Sequence, residues 1–125
     1  MKIHTQKYND VTVIALQGEL DTDSIEQVKD TLDKTLKKPS GQPSGQKIAV
    51  AVFQSGVVFD MANLGFIDSA GLEFLLWARD HCIENNCQMR LAGFNETCKK
   101  ILEITRLENE FACYGELSEA VKSFV

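Results

Sequence analysis

The chain of 125 residues predicts a single α/β domain, residues 1–125, built on a mixed sheet of four to five strands covered by helices. Three observations point there. Two β-period runs open the chain, later apolar residues recur at spacings of three and four, and strand-like and helix-like segments then alternate to the end. An apolar share of 44% with 25% charged residues is ordinary usage for one packed core. A chain of this length buries enough surface to fold without disulfides or a structural metal.

The first run, Lys2–Tyr8, has Ile3 as its inward residue, and Asn9-Asp10 supplies turn chemistry before the next run. In 11–16, Val11, Val13 and Ala15 share one face and Thr12, Ile14 and Leu16 the other, so the two runs form an opening hairpin. After Gly18 the period changes. Ile25, Val28, Leu32 and Leu36 lie on one stripe of a first helix, which ends near Lys37-Lys38, where positive charge suits the helix dipole. Ser24 with Gln27 reads as a capping box, with Asp21, Thr22 and Asp23 as competing caps.

Residues 39–46 repeat Pro-Ser-Gly-Gln without a large apolar side chain and read as a flexible surface loop. Two strand-like runs follow, 47–53 and 57–60, separated by Gln54-Ser55-Gly56 as either a hairpin turn or a bulge. From Ser69 to about Glu84 the spacing is helical again, with Leu72, Leu75, Leu76, Arg79 and Ile83 on the stripe. Phe74, Trp77 and Cys82 widen it and read as core, and Asn85-Asn86 closes the helix. A short strand at 89–92 leads through Gly93 to a helix capped around Asn95, which carries Cys98, Ile101 and Leu102 inward. A weak strand at 111–114 and a terminal helix with Leu117, Val121 and Phe124 on one side complete the chain.

Several function classes are excluded by composition. A net charge of −5 without a basic stripe argues against direct nucleic-acid binding. No apolar stretch approaches the roughly 18–20 residues of a membrane helix, and the first eight residues lack a basic region followed by an apolar run. Neither membrane insertion nor secretion is expected, which leaves the cytoplasm. Cys82, Cys87, Cys98 and Cys113 contain no C-x-x-C pair, and His4 and His81 complete no ligand pattern; they read as reduced core thiols with no metal. No cofactor motif is present.

The stretch 60–76 carries the functional signal. A strand-like segment at Asp60 is followed by the apolar pair Phe66-Ile67, then by Asp68, Ser69, Ala70, Gly71 and Leu72 at a helix start. This resembles the signature of the STAS family of anti-sigma factor antagonists, an apolar strand ending in Asp-Leu followed by Phe-Ile-Asp-Ser-Ser/Ala/Thr-Gly-Leu, with Met61 in place of the Leu. Gly18-Glu19-Leu20-Asp21 and the segment 102–107 are similar to two further family segments, so the resemblance covers nearly the whole chain. It departs at 39–53, where the family has a short link and a single strand.

The resemblance implies a STAS-like fold and a partner-switching function. An unphosphorylated antagonist binds an anti-sigma factor that is often a serine kinase; phosphorylation at Ser69 releases it, and a serine phosphatase resets it. Asp21, Asp23, Asp68 and Gly71 are the implied partner-binding residues, and no catalytic residue is implied. As isolated residues, the aspartates also read as helix caps or solvated charges and Gly71 as a helix–sheet packing residue. Physical chemistry supports a phosphate at Ser69, because the unpaired N–H groups and the dipole of a helix start accommodate an anion. Two other readings remain: a STAS subunit of a membrane transport complex, and a small nucleotide-binding enzyme. No Gly-rich phosphate loop and few general-base candidates speak for the enzyme.

The composition of 39–46 gives it nothing to bury. Replacing it with a Gly/Ser linker of equal length is expected to leave the melting temperature nearly unchanged; a loss of several degrees shows instead that the loop packs.

Overall fold

The computed structural model describes residues 1–8, 10–36 and 56–124. The hairpin tip at Asn9, the first helix end at Lys37-Lys38, the loop at 39–46 and the run at 47–53 lie outside the described residues. Strands β1 (Lys2–Tyr8) and β2 (Val11–Leu20) form the expected antiparallel hairpin, with Ile3 opposite Leu16. Helix α1 (Ile25–Leu36) leads towards β3 (Gly56–Ile67), α2 (Ser69–Glu84) to β4 (Gln88–Ala92), and α3 (Glu96–Ile104) to β5 (Ala112–Tyr114), with α4 (Leu117–Lys122) last. The sheet order is β1-β2-β3-β4-β5, parallel from β2 onward.

Alternation along β2 divides the core between the two faces of the sheet. Ile14, Leu16 and Leu20 join Val28 and Leu32 of α1, Leu72, Phe74 and Leu75 of α2, and Cys98 and Leu102 of α3 in the larger cluster. Val11 and Val13 face the other way and, with Val58 and Ala92, pack under Ala120 of α4. The Phe124 ring lies so close over Gly56 that a side chain at that position would collide with it.

Four expectations are corrected. β3 continues past Asp60 to Ile67; its pairing with β4 stops at Asp60↔Ala92, but β2 accompanies it to Leu20↔Ile67 through register shifts between Ala15 and Gln17 and between Gly18 and Glu19. These irregularities break strict alternation, so Met61, Leu64 and Ile67 are the buried residues, a spacing of three that does not read as a strand. On α2 the buried face is Gly71, Leu72, Phe74, Leu75, Ala78 and Cys82, while Ile83 is 62% exposed. Arg79 reaches the Glu110 backbone carbonyl (3.1 Å) and carboxylate (3.2 Å), spanning from α2 to the turn before β5. The Ser24–Gln27 capping box does not form. The Ser24 hydroxyl donates to the Glu19 carbonyl, and the Gln27 amide donates to the Met1 carbonyl. Cys82, Cys87 and Cys98 are free and buried, as expected of core thiols, but Cys113 is exposed; β5 is an edge strand of three residues that does not cover it.

Asn95 caps α3 as expected and does more: Oδ1 accepts from Cys98 N–H at 2.8 Å, and Nδ2 donates to the Leu64 carbonyl at 2.8 Å, fixing α3 to the β3 extension. Asn95→Ala removes a cap and the donor to Leu64 together and is expected to lower unfolding free energy by about 1–3 kcal/mol. Asn95→Asp, which keeps the cap and loses the Nδ2 donor, is expected to lose less. Urea denaturation of the three proteins measures both.

Candidate functional site

The helix start at Ser69 sits where two neighbouring parallel strands end. Leu20 closes β2 opposite Ile67 of β3, and Asp68 N–H then donates back to the Leu20 carbonyl at 3.2 Å. Asp68 has extended backbone and is the N-cap of α2: its Oδ1 accepts from Gly71 N–H at 2.9 Å, and its carbonyl takes the first helical bond from Leu72. Ser69 is therefore the first helical residue and not the cap. Its side chain is exposed, and the N–H groups of Ser69 and Ala70 precede the helix's own hydrogen-bond ladder.

Gly71 is buried, and its position is one of close approach. A β-carbon there would press into the Leu20 carbonyl oxygen and lie 2.9 Å from Ile67 Cγ2. The packing role accounts for this glycine; its α-carbon faces the protein's own backbone. Asp21 and Asp23 stand on the turn after β2, at the same end of the sheet. Asp21 is half-buried and structural, its Oδ1 accepting from Asp23 N–H (3.1 Å) and Ser24 N–H (3.2 Å), whereas the Asp23 side chain is exposed.

Beside Ser69, α1 and α2 enclose a shallow groove of about 310 Å³ lined by Ile25, Lys29, Ala70, Glu73, Phe74 and Trp77. Phe74 is core, as the sequence predicts, but Trp77 is only half-buried. Lys29 Nζ lies 5.1 Å from its ring centroid, and His81 stacks against it at 4.6 Å while its Nε2 meets Asp33 Oδ1 at 2.8 Å. Lys29 and the outer face of Trp77 were not legible as site residues, because a lone lysine on an amphipathic helix carries no motif. Phe66 of the apolar pair is 44% exposed, while its partner Ile67 is buried. Among the described residues no group of three or more His, Cys, Asp or Glu is arranged to hold a metal ion, and no helix is long and apolar enough to cross a membrane.

The site is thus an exposed serine at a capped helix start, flanked by carboxylates and a shallow groove. The sequence profile of the STAS domain matches residues 2–120, and the chain belongs to that family. A STAS-domain containing protein of Pseudomonas aeruginosa is 37% identical over 62 residues, which is 50% of this chain and 61% of that protein's length. Among solved structures, an anti-sigma factor antagonist from Mycobacterium paratuberculosis superposes with a TM-score of 0.77 at 15% identity, covering 98% of this chain and 92% of the other. The phosphorylated form of the Bacillus cell fate determinant SpoIIAA gives 0.65 at 18% identity, covering 99% and 100%. A sulfate transporter family protein from Wolinella succinogenes also gives 0.65, at 15% identity over 92% and 84%. These likenesses establish the five-stranded STAS fold.

The division between Asp68 and Ser69 has a measurable consequence. Asp68→Ala is expected to lower stability by about 0.5–2 kcal/mol, the usual cost of a lost N-cap, and Ser69→Ala by less than about 0.5 kcal/mol. Gly71→Ala is expected to cost about 1–3 kcal/mol by overpacking against the Leu20 carbonyl. Thermal and urea unfolding of the three variants checks the order; an equal loss for Ser69→Ala and Asp68→Ala contradicts it.

Proposed function

We propose that this protein is an anti-sigma factor antagonist that acts in the cytoplasm by partner switching. In its unphosphorylated state it binds an anti-sigma factor with serine kinase activity, phosphorylation at Ser69 releases that partner, and a serine phosphatase restores binding. The observation that carries this reading is an exposed Ser69 side chain, relieved of capping by Asp68, at the first position of α2 within the family motif. The partner surface comprises the Asp21–Asp23 turn, the α2 start with Asp68, and the adjoining groove, with Gly71 acting indirectly by setting the height of the helix start.

Phosphorylation adds about −1.5 to −2 charge next to Asp68 on a protein already at −5. The free protein tolerates it, because the Ser69 and Ala70 amides and the helix dipole favour an anion there. A docked partner meets repulsion and uncompensated desolvation instead.

The test is a pull-down with wild-type, Ser69→Ala and Ser69→Asp proteins, joined to mass-spectrometric mapping after incubation with the captured kinase and ATP. Phosphate on Ser69 and capture by wild-type and Ser69→Ala are expected, with at least a tenfold loss of affinity in the phosphorylated protein. Phosphate on another residue, or equal binding of the phosphorylated form, overturns the switch. Recovery of a transporter subunit as the Ser69-dependent partner replaces this reading with the transport-complex one, for which the Wolinella likeness stands.

A further inference from the structure

The C-terminal end of α2 and the residues just beyond it carry two buried thiols, Cys82 and Cys87, that the proposed switch does not use. Asn86 is in the left-handed region (φ 58°), Cys87 N–H donates to the Cys82 carbonyl at 2.8 Å, and Asn86 N–H donates to the Ile83 carbonyl at 3.1 Å. That pair of bonds is the Schellman helix ending, which brings the side chain three positions inside the cap against the one two positions beyond it, ordinarily as an apolar contact. Here both positions are cysteine, with Cys82 0% and Cys87 3% exposed. Each thiol perturbs the other: the neighbouring Cys87, reinforced by burial, pushes Cys82 up, and the neighbouring Cys82 holds Cys87 down, while Cys87 Sγ itself donates to the Gln88 carbonyl at 3.7 Å.

We propose that Cys82 and Cys87 are a two-electron redox site, a dithiol that a small peroxide converts into an intramolecular disulfide and that a low-molecular-weight thiol restores. The chemistry balances. The Cys87 thiolate attacks one peroxide oxygen, an S–O bond forms as the O–O bond breaks, and hydroxide leaves and is protonated to water. Cys82 sulfur then attacks Cys87 sulfur, the S–O bond breaks, and a second water leaves with the Cys82 proton. Two thiols lose two electrons and two protons in all, and the peroxide is reduced to two waters.

The other cysteines lack this arrangement. Cys98 is buried with its Sγ donating to the Leu64 carbonyl at 3.7 Å, and Cys113 is exposed on the edge strand with its thiol pushed up by desolvation and then by Glu108. Access to the pair runs through the helix end, where Ile83, Glu84, Asn85 and Asn86 are all exposed and one turn opening uncovers both sulfurs. The inference stands apart from the partner-switching reading, since the pair lies at the opposite end of α2 from Ser69.

Trypsin places both cysteines on one peptide, residues 80–90, which makes the test direct. Native protein is treated with hydrogen peroxide, alkylated, digested and weighed. The peptide is expected to become lighter by about 2 Da than its reduced, unalkylated form, to resist alkylation, and to recover two alkylatable thiols after dithiothreitol, in protein whose circular dichroism is unchanged. A Cys98→Ala, Cys113→Ala double variant is expected to behave identically, and Cys87→Ala to lose the effect. Oxidation confined to Cys113, or a disulfide that forms only in urea-unfolded protein, overturns the proposal, and the measurement on unmodified protein decides the matter even if a variant fails to fold.

Discussion

The site depends on the Leu20 carbonyl. It ends β2, accepts Asp68 N–H at 3.2 Å, and lies directly beneath the α-carbon of Gly71. Three segments therefore meet at one oxygen: the exit of β2, the exit of β3 and the first turn of α2. A buried carbonyl needs its donor, and a helix seated this closely tolerates no side chain at the point of approach. The turn after β2 is fastened to the same place, because the Ser24 hydroxyl donates to the Glu19 carbonyl while the Asp21 carboxylate holds Asp23 and Ser24. Asp23 and Ser69 are consequently presented on a rigid frame, although both belong to connections between elements.

Much of this frame was legible in the sequence. Both ends of α2 were marked by chemistry confined to a few neighbouring residues: Asp68 before the helix, and Asn85-Asn86 after it, where Asn86 takes the positive φ that asparagine tolerates. The hairpin, the cap at Asn95 and the inward Cys98 and Leu102 were legible for the same reason. The illegible features were settled at a distance. The β3 extension is held by irregular pairing with β2, which leaves no period-two signal in β3 itself. Ser24 and Gln27 have the spacing of a capping box, but the Glu19 and Met1 carbonyls compete for their side chains and win. Arg79 occupies a stripe position because its guanidinium bridges to Glu110, a partner 31 residues away that local spacing does not reveal.

The fold alone does not select a function. Anti-sigma factor antagonists and a sulfate transporter family protein superpose on this chain at identities of 15–18%, a level at which backbone and layer order are shared and side-chain chemistry is not. What discriminates is local: the motif at 66–72, and within it which residue caps the helix. Had Ser69 been the cap, its hydroxyl would have been engaged, and modification would have removed a stabilising bond. With Asp68 as the cap, the hydroxyl is available and the helix keeps its first turn in either state.

That separation places the energetic weight of the proposed modification on the complex instead of the fold. In the free protein a phosphate at Ser69 and the Asp68 carboxylate are both in contact with water, where two unit charges about 5 Å apart repel by less than about 1 kcal/mol. The helix dipole and the open Ser69 and Ala70 amides contribute about 0.3–1 kcal/mol in the opposite direction, so the modified helix start is close to neutral in stability. A docked partner expels that water. At an effective dielectric constant of about 20 the same pair costs about 3 kcal/mol per unit charge, and a phosphate carries nearly two. Since about 1.4 kcal/mol is a factor of ten in affinity, even half of this penalty weakens binding by about a hundredfold. A single exposed hydroxyl next to, but not serving as, a helix cap is sufficient to make such a switch without unfolding the domain that carries it.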